Sequence, residues 1–244
     1  AGKVEGQLPV SASGSLAVLD KTLWFANNDD SSVEPIDLRT RKLVHPFVPI
    51  QGNINGIAAG FGAVWIVDGT DPVLLKIDPN YGTPQRIPLP AKRQDIDFTA
   101  PTEAAVGAGS VWVAEGNKVF RINPTTLRVE HAIDVPQADL LAFGDGSLWV
   151  GQSNESSISE IDPAVNDVVR KVKLRGFISS LTVGGGFVWA TISPDDTLWK
   201  IDENGTPEKS FDFEHGAGPV AYFDGAVWVG SNGRLQRLDP SSER

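Results

Sequence analysis

Six of the seven tryptophans in this 244-residue chain sit in one recurring pattern. The clearest copy is Gly60-Phe61-Gly62-Ala63-Val64-Trp65-Ile66-Val67. Further copies centre on Trp112, Trp149, Trp189 and Trp228, and a worn one on Trp24. A Gly-x-Gly turn before a short run of apolar and β-branched residues signals a tight hairpin and then a buried strand. The six tryptophans stand 41, 47, 37, 40 and 39 residues apart. A period near 40 with β patterning predicts propeller blades of four strands each.

A second landmark keeps the same period. Thirteen residues after the tryptophan come Asp37, Asp78, Asp162 and Asp202, and eleven after it come Asn123 and Asp239. Each follows Ile or Leu, and Pro often comes next. This is turn chemistry: the side-chain oxygen accepts a backbone N–H two residues on, and Pro presets the next φ. The second copy is then expected to place strands near 56–60, 63–68, 73–78 and 84–89, named A to D in each blade. No stretch of ten or more residues has helical period, so essentially no helix is expected.

The last repeat offers strands at 219–223, 226–230 and 234–239 and then ends. An unclaimed strand at 4–10 resembles the D strands of other repeats, such as 129–135. It is expected to complete the sixth blade. The result is an all-β, six-bladed propeller of one domain over 1–244, closed by its own N-terminal strand and free of open edges. The other arrangement is a piece of a seven-bladed parent. The recurring tryptophans are expected to fill the wedge between sheets. Trp199 is expected to pack between blades in the same way.

Charge narrows the partners. There are 21 basic and 31 acidic residues, a net of −10. Nucleic acid is a poor partner for that surface. A cation, a basic peptide or a neutral ligand fits better, and simple solubility is the plain alternative. The absence of Cys removes disulfides, thiolate metal sites and cysteine nucleophiles. The chain begins at Ala1 and has no Met, so it reads as a processed mature chain or an excised domain. No run approaches the ~20 apolar residues of a membrane helix, so membrane attachment would need a segment outside this sequence.

Variable loops on a rigid scaffold carry binding. Here the D–A and B–C loops vary, while the A–B and C–D turns repeat. Three residues after each tryptophan stand Asn27, Asp68, Glu115, Gln152, Ile192 and Ser231. Ten before it stand Gly14, Asn55, Thr102, Asp139, Ser179 and Gly218. These two sets are expected to meet around a channel mouth. Their oxygens would suit Ca²⁺ or Mg²⁺, with Asp68, Glu115 and Asp139 as candidate ligands. Water alone would satisfy the same groups, and no bound cofactor is the first expectation. The B–C loops add an acidic rim of Asp29, Asp30, Asp71, Glu155, Asp195 and Asp196. The long loop 90–102, with Lys92, Arg93, Asp95, Asp97 and Phe98, would lie across the mouth. His215 is the one imidazole placed to act there as a base; His45 and His131 fall on outer strands. There is no nucleophile elbow, His-x-x-x-His pair, phosphate loop or dinucleotide fingerprint.

The Gly-x-Gly-x-Val-Trp-Val and Ile-Asp-Pro patterns resemble bacterial propeller repeats of the YVTN and YncE-like type. They are also similar to repeats of the NHL group and of virginiamycin B lyase. The first resemblance implies an exported protein or an extracytoplasmic sensor domain. The lyase family has seven blades and uses a catalytic His with an acidic partner and Mg²⁺; His215 agrees with it in residue type only. Gluconolactonase-like propellers hold a divalent metal with Glu, Asn and Asp. Asn55, Asp68, Glu115 and Asp139 agree in type, but no motif aligns. The leading expectation is a monomeric, non-enzymatic domain that takes a protein, peptide or small molecule on its D–A and B–C loops. The alternative is a metal-dependent lyase or lactone hydrolase with its ion at the mouth.

Overall fold

The computed structural model describes residues 14–44, 47–80, 83–90, 100–213, 216–231 and 234–240, without the side chains of 209 and 210. The chain divides into two compact units, one over 3–132 and one over 133–244 together with residues 1 and 2. In the first unit, β1 (Gly14–Leu19), β2 (Thr22–Asn27) and β3 (Ser32–Asp37) form a sheet with short β4 (Lys42–Leu43) and β5 (Val48–Pro49), which both pair with β3. The next sheet runs β6 (Ile54–Gly60), β7 (Ala63–Asp68), β8 (Val73–Ile77) and β9 (Gln85–Pro88). The third runs β10 (Glu103–Gly107), β11 (Ser110–Glu115), β12 (Lys118–Ile122) and β13 (Val129–Asp134), the last strand reaching the boundary.

The second unit repeats the plan. One sheet holds β14 (Leu140–Gly144), β15 (Ser147–Gln152), β16 (Ser157–Asp162) and β17 (Asp167–Lys173). Another holds β18 (Phe177–Gly184), β19 (Phe187–Ser193), β20 (Thr197–Ile201) and β21 (Pro207–Asp212). The last described sheet is β22 (Val220–Phe223), β23 (Ala226–Ser231) and β24 (Arg234–Leu238). These six antiparallel sheets are the blades of an all-β propeller. Residues 4–10, expected to complete the sixth blade, lie outside the described residues. Among the described residues the sole helical turn is Ser153–Glu155.

The Gly-x-Gly motif has two separate physical roles. Its second and third residues are the two corners of the A–B hairpin, both with positive φ: 54° and 69° at Phe61 and Gly62, 48° and 70° at Ala108 and Gly109. Consecutive positive φ values make a type I′ turn, whose twist matches that of the strands it joins. The first glycine serves the neighbouring blade. A Cβ on Gly60 would lie 2.5 Å from Val106, and one on Gly184 would lie 2.1 Å from a Tyr222 ring carbon. The tryptophan then ties the hairpin: its indole N–H donates to the carbonyl five residues back, Trp65 to Gly60 and Trp112 to Gly107 at 3.0 Å, Trp189 to Gly184 at 3.1 Å.

Those three tryptophans are fully buried, and Trp228 is half-buried. Apolar side chains of successive sheets close around them. Trp65, Val67 and Leu74 pack in one cluster with Val111, Val113 and Phe120. Each such side chain contributes about 1.5–3 kcal/mol on burial. The C–D turns form as expected: Asp78 accepts from Asn80 N at 2.8 Å, Asn123 from Thr125 N at 2.9 Å and Asp162 from Ala164 N at 2.7 Å.

Strand C brings a feature that the motif does not announce. Lys76, Arg121, Lys200 and Arg237 stand directly opposite Trp65, Trp112, Trp189 and Trp228. Their charged groups lie 5.3, 5.0, 6.0 and 6.0 Å from the ring centroids. This is cation–π distance. Opposite Trp24 stands Pro35, and opposite Trp149 stands Glu160.

Candidate functional site

The polar residues that close strand B are buried. Asn27, Asp68, Glu115, Gln152 and Ser231 are all less than a tenth exposed, as is Ile192. Three of them bond into their own blade. Asn27 Oδ1 accepts from Asp29 N and Asp30 N, while its Nδ2 donates to Asp30 and Glu34. Asp68 Oδ1 accepts from Thr70 N at 2.8 Å and Asp71 N at 3.2 Å. Gln152 Nε2 donates to Pro136 O at 2.7 Å, and its Oε1 accepts from Ser157 and Ser159. Asn27 and Asp68 thus supply acceptors to B–C turn N–H groups that would otherwise be unpaired, while Gln152 joins strand C to the D–A segment.

Asp68 is further enclosed. Gly52, at φ 125°, packs against its carboxylate, and a Cβ there would lie 2.9 Å from Oδ1. Asp68 Oδ2 is buried without a hydrogen bond and 3.9 Å from the exposed Arg86 guanidinium. Arg86 also reaches Asp71 at 3.3 Å. The acidic rim is thus partly neutralised, and again at Glu155, which Lys171 meets at 2.6 Å.

The residues that open strand A behave similarly. Asn55 Nδ2 donates to Pro101 O at 2.7 Å. Its amide oxygen comes so close to Gly69 that any side chain there would collide with it. Asp139 accepts from Ser153 N, and burial holds its carboxyl above the usual carboxylate range. Ser179 bonds to Thr191 O at 3.2 Å. Phe98 and His215 lie outside the described residues. His131 is exposed on β13.

Glu115 stands apart. Its B–C turn is too short for the carboxyl to cap, and Oε2 is buried without a partner. Burial pushes this carboxyl up to about 7. Glu103, which the repeat alignment passes over, joins it. Glu103 pairs in register with Ala114, the neighbour of Glu115 in β11. Burial raises it to about 7 against the pull of the Ala104 N–H. The signal in the sequence is a charged residue one step inside strand A, where the other blades carry Ser, Gly, Leu, Ser and Pro. Carboxyls of this kind exchange protons near neutral pH. Among the described residues no three His, Asp or Glu side chains gather closely enough to hold a metal ion.

No family model matches the chain, and no curated protein matches its sequence. Solved structures do. Selenomethionine-substituted virginiamycin B lyase from Staphylococcus aureus is 17% identical, with a TM-score of 0.76 over 97% of this chain and 87% of that one. The Cps50 (Swd1) propeller domain of Myceliophteria thermophila is 12% identical, with a TM-score of 0.78 over 93% and 83%. BamB from Moraxella catarrhalis is 14% identical, with a TM-score of 0.68 over 94% and 72%. What this chain shares with all three is the propeller fold.

Proposed function

We propose that this chain is a non-enzymatic binding propeller, the extracytoplasmic sensor or binding domain of a larger or exported protein. Its ligand is a peptide, a protein or a small molecule held by the B–C and D–A loops. One observation carries this reading: Asn27 and Asp68 bond into their own B–C turns and brace them, and Gln152 ties its strand C to the D–A segment at Pro136. Braced loops lose little conformational freedom on meeting a partner, which favours recognition. The same bonds keep these polar groups from converging on a reacting atom. The exposed acids Asp29, Asp30 and Asp195 favour a basic partner. The likeness of the repeats to the YVTN and YncE-like type supports a place outside the cytoplasm.

The test is a peptide-display selection on the full chain. Recovered peptides are then titrated onto the loop variants Asp29→Lys and Asp195→Lys. Basic peptides that lose affinity in these variants are the expected result. No enrichment, or peptides indifferent to both loops, overturns the reading. Fractionation of producing cells into cytoplasm, periplasm and medium checks the location, and a chain found only in the cytoplasm contradicts it.

A divalent-ion lyase or lactone hydrolase is the second reading, favoured by the unpartnered Oε2 of Glu115. Thermal unfolding with Ca²⁺, Mg²⁺ or EDTA decides it. A ligand at 100 times its Kd adds roughly 2.7 kcal/mol. A flat response removes this reading.

A further inference from the structure

The sixth blade has one face packed and one face open. Val227, Val229 and Leu238 turn towards the fifth blade and pack in one cluster with Trp189 and Leu198. Alternation along the strands puts Phe223, Trp228, Leu235 and Arg237 on the other side. There Phe223 is 72% exposed, Leu235 is 66% exposed and Trp228 is only half-buried.

The repeat shows what such a face does. Leu235 pairs with Gly230, two residues after the tryptophan. The same register position holds Val33, Leu74, Val119, Ile158 and Leu198 in the other five blades, and each of these is 0% exposed. Leu74 is covered by the next blade, in one cluster with Val111, Val113 and Phe120. Leu198 is covered likewise, with Val220 and Val229. Arg237 lies over Trp228 as Lys76 lies over Trp65. Lys76 also donates to Pro124 O, in the C–D turn of the next blade, at 3.2 Å. The sixth blade thus keeps the leucine, the ring and the cation of a blade-to-blade contact, with its apolar side chains in solvent.

We propose that this face docks a further propeller blade, a four-stranded sheet of the same repeat carried by polypeptide outside these 244 residues. An apolar sheet laid on Phe223, Trp228 and Leu235 removes their surface from water, as it does in the other blades. Side-chain size defines the partner. Phe223 stands where four other blades carry the first glycine of the motif. The residue that meets this glycine comes six before the tryptophan of the next blade: Val106 against Gly60, Val183 against Gly144 and Tyr222 against Gly184. A large residue there takes a glycine, so Phe223 calls for a small one. The first blade gives the precedent, with Leu19 in the place of the glycine and Ala59 six before Trp65. A second copy of this chain would offer Val18 from its first strand, and valine at that position is met by glycine in the other blades. The partner blade therefore carries Gly, Ala or Ser there, and a C–D turn carbonyl within reach of Arg237. This contact is independent of the loop-borne ligand.

The test supplies such a blade. A copy of residues 38–90 is joined after Asp239 of the chain, as residue 38 follows Asp37 in the first blade. The copy adds a fourth strand and then a second blade with its Ala59. Hydrogen exchange of the indole N–H groups is followed with 15N-labelled tryptophan. In the parent chain the Trp228 N–H, bonded to Phe223 O at 3.3 Å, should exchange at least about tenfold faster than the buried N–H groups of Trp65, Trp112 and Trp189. In the extended chain it should slow by about tenfold or more. Ala59→Phe in the copy should restore fast exchange. Leu235→Asp should restore it too, while leaving the melting temperature of the parent unchanged, a measurement that stands even where the joined copy fails to fold. The proposal is overturned by slow exchange of Trp228 in the parent, by a parent that Leu235→Asp destabilises by several degrees, or by a folded copy that leaves Trp228 fast. Protection of Trp228 that rises with parent concentration, together with dimers in light scattering, assigns the face to a second copy and overturns it as well.

Discussion

Arg121 covers the ring of Trp112 from the opposite strand, 5.0 Å from its centroid, and bonds at the same time to the hairpin that the tryptophan closes. Its Nε donates to Ser110 Oγ at 2.8 Å and its Nη2 to Ala108 O at 3.1 Å. One side chain thus joins strand C, the ring and the A–B turn. Arg121→Lys keeps the charge but loses the fork. Arg121→Leu loses both. Denaturant unfolding should show a loss of about 0.5–1 kcal/mol for Lys and about 1–2 kcal/mol for Leu. A double-mutant cycle with Trp112→Phe should reveal coupling between the two. Additive losses would mean that the contact contributes nothing.

Gly184→Ala tests the second role of the repeated glycine. The position lies outside the positive-φ region, so an alanine has no backbone objection. Its methyl would meet the Tyr222 ring at 2.1 Å. Crowding of this kind costs about 1–3 kcal/mol. Adding Tyr222→Ala should recover part of the crowding loss, so that the pair is less unstable than the sum of its parts. If the glycine mattered only for the turn, Tyr222→Ala would bring no recovery.

The tryptophan spacing placed all the described blades because each copy closes on itself within about 40 residues. Hairpin glycines, Asx turns and apolar runs are local signals, and the sheets follow them to within a residue or two. What stayed hidden depends on packing across the repeat. The cation opposite the tryptophan comes eleven residues later at Lys76 and Lys200 but nine later at Arg121 and Arg237, because the B–C turns differ in length. No fixed spacing shows it. The first glycine of the motif answers to a side chain some 40 residues away, such as Tyr222 for Gly184. Asn27 and Asp68 look like groups lining a wet mouth. They cap turns by the same chemistry as Asp78, but at the other end of the blade.

Asp68 separates capping from charge. Asp68→Asn keeps an oxygen for the N–H groups of Thr70 and Asp71 and removes a buried negative charge. Asp68→Ala removes the oxygen and leaves both half-buried N–H groups without their acceptor. Thermal unfolding should place the Asn variant within about 1 kcal/mol of the parent and the Ala variant about 1–3 kcal/mol below it. Equal losses in the two would show that the charge matters, through Arg86 or a bound cation.

Glu103 and Glu115 give stability a pH dependence of known sign. Both carboxyls ionise near 7 in the fold against about 4.5 in the unfolded chain. Below the lower value both states are protonated and the carboxyls cost nothing. Between the two values the unfolded chain releases protons that the folded chain keeps, so stability falls as pH rises. Above 7 the full cost is present and constant. Glutamine keeps the shape and the Oε1 acceptor without the charge. Glu115→Gln should therefore match the parent at pH 4.5 and exceed it at pH 8. The gain should be on the order of 1–3 kcal/mol, since a tenfold change in an acid's ionisation constant corresponds to about 1.4 kcal/mol. Glu103→Gln should follow the same course. Urea unfolding at the two pH values measures both gains. A gain that is equal at pH 4.5 and pH 8 would trace it to packing and remove the buried charge as its cause.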